Sequence, residues 1–127
     1  MRCSLAVTLA LMTQLCGCSY HYDLSAIDLN GKIAVTPKKD KGTGCLEALT
    51  VTDDKGTVVW DLSGSYSPPP CADKFPVAYG ATPVGMTERV KAAPLRAGVT
   101  YKVEASDGDY YSGSFNYRTG LIIQNAG

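Results

Sequence analysis

From residue 20 onward the chain never holds a helical period. Apolar and polar residues alternate in short runs, and glycine or proline interrupts each one. A period of two places successive side chains on opposite faces of a strand, and frequent interruption keeps the strands short. Tyr22 and Leu24 alternate in this way, as do Ile33 and Val35, Leu49 and Val51, and Val99, Tyr101 and Val103. The pattern predicts an all-β domain of seven or eight short strands, built as an antiparallel sandwich or a small barrel.

The first residues obey a different logic. Met1 and Arg2 precede an apolar run of eight residues from Leu5 to Met12, within the ~7–15 expected of a secretory signal. A membrane-spanning helix needs ~20 apolar residues, so the run is too short to remain as an anchor. Residues 1–17 read as a signal peptide and 18–30 as a lead-in, with the β domain expected over 31–127.

The run ends at Leu15-Cys16-Gly17-Cys18. This resembles the lipobox of bacterial lipoproteins, with Cys16 standing where alanine or serine is commoner. The resemblance implies cleavage before Cys18, a diacylglyceryl thioether on its sulfur and an N-acyl chain. Two or more buried chains hold a protein stably at a bilayer where one binds reversibly. Ser19 follows the cysteine in place of aspartate, which in Gram-negative lipoproteins implies the periplasmic face of the outer membrane. Cys3 and Cys16 leave with the signal and Cys18 takes the lipid, so Cys45 and Cys71 remain of the five cysteines. An even remainder in an exported domain reads as a disulfide. A catalytic or metal-binding pair is the alternative, but no histidine lies near either residue in the sequence.

Beyond residue 17 the chain carries 11 basic and 12 acidic residues. So even a balance gives no electrostatic reason to expect nucleic acid as a partner. Segment 36–44 holds three lysines beside Asp40 and reads as a solvated loop. Asp53-Asp54-Lys55-Gly56 separates two β-rich runs and predicts a hairpin. A turn centred between Asp54 and Lys55 sets residue 45 opposite residue 64, with Cys45 at the open end. Pro68-Pro69-Pro70 excludes a central strand there. Phe75 to Tyr79 reads as an edge strand, Met86 to Ala92 as another strand, and Tyr110 to Arg118 as the return of a terminal hairpin. Leu121 to Gly127 is a tail able to add a last edge strand.

Leu95-Arg96-Ala97-Gly98-Val99-Thr100-Tyr101 resembles the passage into strand F of fibronectin type III and other immunoglobulin-like domains. The resemblance implies an immunoglobulin-like antiparallel sandwich with a tyrosine corner, in which the Tyr101 hydroxyl bonds to backbone a few residues upstream. Trp60, fifteen residues after Cys45, takes the place of a core tryptophan. Val103 stands where the second cysteine of that fold would be, so the usual inter-sheet bridge is missing. The tight loop at Asp53–Gly56 also implies that its flanking strands share one sheet.

Candidate chemistry is sparse. His21 is the sole histidine, no Gly-x-Ser-x-Gly elbow occurs, and the pairs Asp53/Asp54 and Asp107/Asp109 fall in turns, where aspartate bonds to local backbone. No cofactor or metal is expected. Tyr110, Tyr111 and Tyr117 crowd the last hairpin and are candidate contact residues, since tyrosine suits interfaces. The expected function is that of a lipid-anchored, non-enzymatic envelope lipoprotein, a binding or accessory module with another envelope protein as partner. The alternative is an inhibitor or immunity protein against a wall-degrading enzyme or toxin: Tyr111-Ser112-Gly113-Ser114 resembles the serine–glycine loop of lysozyme inhibitors.

Overall fold

The computed structural model describes residues 21–38, 46–64, 75–118 and 121–124. Among these there is no helix and there are nine strands: β1 (His21–Leu29), β2 (Lys32–Pro37), β3 (Ala48–Thr52), β4 (Val58–Gly64), β5 (Val77–Ala78), β6 (Met86–Val90), β7 (Thr100–Ser106), β8 (Tyr110–Arg118) and β9 (Leu121–Gln124). They join in one curled mixed sheet of order β5-β2-β1-β8-β7-β3-β4-β6, with β9 beside β8. The described residues are all-β, as the alternation predicts. The curl folds β5, β2 and β1 over the longer remainder around one core, an arrangement that the sandwich and barrel expectations both describe.

Strand β1 makes the curl possible. Its first three residues pair in parallel with β8, from His21↔Tyr110 to Asp23↔Ser112. From Leu24 onward it pairs antiparallel with β2. The sheet is therefore not antiparallel throughout, because the first strand runs beside β8 in the same direction with the rest of the domain between them in sequence. Residues 21–29 pack with the rest of the sheet: Leu24 and Ala26 are buried in the core. At the crossing, Leu24 lies directly over Gly113 of β8, where an added Cβ would overlap the Leu24 carbonyl oxygen.

The hairpin of β3 and β4 forms as expected, but two residues out of the expected register. Asp53 N–H donates to the Thr57 carbonyl at 2.9 Å, and Asp53 Oδ1 accepts from the N–H groups of Lys55 and Thr57, both at 2.9 Å. Gly56 supplies the positive φ of 83° that the turn requires. The loop is thus centred on Lys55, and a bulge beside Val51/Thr52 adds one further step. Gly64 N–H consequently donates to Glu47, at 2.7 Å. Cys45 and Cys71 lie outside the described residues. Leu46, next to Cys45 in sequence, is buried.

The inward faces of the paired strands form rows that the register fixes. Tyr111, Ala105, Leu49 and Leu62 lie side by side, and the next row runs Gly113, Val103, Val51, Trp60. A third pairs Phe115 with Tyr101, rings 5.6 Å apart. Tyr101 is buried, and its hydroxyl accepts the Arg96 N–H at 2.8 Å, five residues upstream. Trp60 is buried too, with the Tyr79 ring edge-on at 5.0 Å. Because Tyr79 follows β5 and Trp60 belongs to β4, this contact joins one end of the curl to the strand next to its other end. The Tyr79 hydroxyl adds a hydrogen bond to the Ala93 carbonyl at 2.6 Å.

Two core tyrosines make the fold sensitive to alkali. Burial pushes the Tyr79 hydroxyl up to about 12. Burial, then the hydrogen bond to Asp107, raises that of Tyr111 still further. Unfolded, both ionise near 10. Above that pH the unfolded chain releases protons that the folded chain keeps, so stability present below pH ~10 is lost as pH rises. Urea midpoints measured across pH ~9–12 should fall steadily, and Tyr79→Phe should flatten the fall.

Candidate contact surface

Alternation that sends the large side chains inward leaves a broad polar face outside. Its first row is His21, Tyr110, Ser106, Ala48, Ser63 and Thr87, one from each of β1, β8, β7, β3, β4 and β6. The second is Asp23, Ser112, Glu104, Thr50, Asp61 and Val90, and a shorter third runs Ser114, Lys102, Thr52, Val58. Six strands at ~4.8 Å spacing make this face ~24 Å wide.

Short hydrogen-bonding side chains dominate it, and many bond to each other across strands. Thr50 Oγ1 donates to Asp61 at 2.8 Å, and Asn116 Nδ2 to Thr100 Oγ1 at 3.0 Å. Arg89 and Asp61 approach to 3.7 Å between β6 and β4, and Lys102 and Glu104 to 3.7 Å along β7. Such solvent-exposed pairs contribute ~0–1 kcal/mol each to stability. They hold the side chains close to the sheet.

His21 Nε2 and Ser112 Oγ lie 2.7 Å apart on this surface. A serine nucleophile beside a base also needs donors for an oxyanion. Here β8 is paired with β1 on one side and with β7 on the other at Ser112. Its local backbone is committed to the ladders, and the pair is a surface hydrogen bond between neighbouring strands.

Of the three candidate contact tyrosines, Tyr110 is 60% exposed. Tyr117 is half-buried against the core. Tyr111 is buried and offers no contact surface: it shares the inward row, its ring lies 5.5 Å from Tyr22 and 5.2 Å from Phe75, and its hydroxyl donates to Asp107 at 2.9 Å. Ser112-Gly113-Ser114 occupies the middle of β8 and is not a loop.

The acidic pairs serve their turns. Besides its two backbone bonds, Asp53 meets Arg96 at 3.3 Å. The Thr57 N–H first, then those of Lys55 and the Arg96 charge, hold its carboxyl below the usual range against an opposing effect of desolvation. Asp107 Oδ1 accepts the Asp109 N–H at 3.2 Å, which shapes the turn between β7 and β8. Among the described residues no three His, Cys, Asp or Glu side chains gather as metal ligands.

Sequence reasoning missed two features of this region. Val84, 70% exposed, stands in the turn before β6. Glu88, half-buried on β6, turns its carboxylate to Trp60 Nε1 at 2.9 Å and to the Ala92 N–H at 3.3 Å. A solitary glutamate carries no signal of that partnership. Comparison of the chain with family models, curated proteins and solved structures returns no match.

Proposed function

We propose that this chain is a lipid-anchored lipoprotein of the bacterial envelope whose β domain works by contact and not by catalysis. The observation that carries the proposal is Leu15-Cys16-Gly17-Cys18, placed after an apolar run of signal length. Cys18 stands three residues before β1, and three extended residues reach ~11 Å at most. A domain whose first strand begins that soon after the anchor is held against the membrane it is tethered to. Ser19 favours the outer membrane, with the domain in the periplasm. The outer face of threonine, serine and charged side chains suits a broad protein partner in the envelope.

Fractionation of producing cells tests the anchor. The unsubstituted protein should sediment with membranes, and Cys18→Ala should release it or leave it unprocessed with its signal attached. Processed Cys18→Ala protein that still sediments with membranes would contradict the proposal.

Cys45 and Cys71 form a disulfide in this reading. The closed loop of 27 residues contributes ~3.5 kcal/mol on a chain-entropy account. Peptide mapping without reductant should recover the two cysteines in one crosslinked species. Two free thiols would refute the bridge.

A further inference from the structure

The two most exposed large hydrophobic side chains among the described residues lie at the same end of the sheet. Tyr110, 60% exposed, begins β8, and Val84, 70% exposed, precedes β6. The register joins them. Tyr110 sits between His21 and Ser106, Ala48 connects Ser106 to Ser63, and Ser63 and Gly64 pair with Thr87 and Met86. Met86 N–H closes the turn on the Pro83 carbonyl at 3.1 Å, leaving Val84 at its tip. The other exposed large hydrophobics, Leu29, Val58 and Val90, are only 37–39% exposed. Leu29 and Val58 adjoin the turns at the opposite end of the strands, and Val90 ends β6, away from the turn that holds Val84.

This end is also where the chain enters β1 from Cys18. Residues 76–86 around Val84 carry no charge. Tyrosine joins an apolar ring to a polar tip and is enriched at membrane interfaces.

We infer that this end of the domain seats on the bilayer, with Tyr110 and Val84 entering its interfacial layer. The inference rests on the anchoring reading, which brings the surface within ~11 Å of His21. The occupant is a zwitterionic surface of no net charge, because Asp23, Glu47, Asp107 and Asp109 outnumber Lys38 at this end and oppose anionic headgroups. Seating this end turns the Asp53–Gly56 hairpin away from the membrane and stands the polar outer face upright, open to a partner in the periplasm.

Tryptophan reporters test the seating in the full lipidated protein, reconstituted in phosphatidylcholine vesicles with brominated acyl chains. Tyr110→Trp and Val84→Trp should each shift emission to the blue and lose about half of the added intensity to the brominated lipid. Val58→Trp, at the far end, should remain unquenched. If the protein stays vesicle-bound while positions 84 and 110 behave like position 58, the seating is wrong and the anchor stands. If the unsubstituted protein does not float with the vesicles, the anchoring reading fails and takes the seating with it. A blue shift in native envelopes but not in vesicles would assign this end to a protein partner and overturn the bilayer.

Discussion

Gly113→Ala should destabilise the domain by ~3 kcal/mol, the cost of forcing atoms into a site that cannot relax. Its Cβ would overlap the Leu24 carbonyl oxygen and lie 3.0 Å from the Leu24 carbonyl carbon and 3.1 Å from its Cβ. The obstacle is largely backbone, so no rotamer change relieves it. Leu24 is also where β1 leaves β8 for β2. Displacing it loosens both ladders and uncovers the core side chains of Leu24 and Ala26. Urea unfolding followed by near-ultraviolet circular dichroism measures the loss. Ser114→Ala, one residue on and half-exposed, should stay within ~0.5 kcal/mol of the parent. Equal stability of Gly113→Ala and the parent would show that β1 does not cross β8 there.

Trp60→Ala should cost ~3–5 kcal/mol, as truncation of a buried aromatic does. The indole is 1% exposed, stacks edge-on with Tyr79 and donates to Glu88. Removing it opens a cavity where β4 meets the segment after β5, and it strips a partner from the Glu88 carboxylate. Trp60→Phe separates these effects. It keeps an aromatic ring for the contact with Tyr79 but gives up the charge-assisted hydrogen bond, for ~2 kcal/mol. In a domain whose whole stability is expected near ~5–15 kcal/mol, either change shifts the unfolding midpoint visibly. A Trp60→Phe variant as unstable as Trp60→Ala would mean that the hydrogen bond to Glu88, not the packing, carries the site.

Local features of this fold were legible in the sequence. Asp53-Asp54-Lys55-Gly56 announces the β3–β4 hairpin, and Ser106 to Asp109 the β7–β8 hairpin, because neighbouring strands joined by short turns need only local chemistry. Pro76 marks the edge, and among the described residues β5 pairs on one side alone, with β2. Register was harder to read, since a bulge inserts a residue without leaving a composition signature. The parallel pairing of β1 with β8 joins His21 to Tyr110 across nearly the whole domain, and no local pattern encodes so distant a partner. Gly113 carried the one available hint: glycine inside a strand marks a close backbone approach. Among the tyrosines, alternation separated Tyr110 from Tyr111 without telling which face was core. The burial of Leu49, Val51, Val103 and Phe115 on the same side as Tyr111 answers that.

The anchor is the claim on which the functional reading turns. The most direct measurement is the mass of the N-terminal proteolytic fragment from protein purified out of producing cells. That fragment should begin at Cys18 and carry three acyl chains, two through a glyceryl thioether and one on the α-amine. A fragment that begins elsewhere, or that retains Cys18 as an unmodified thiol, would contradict it.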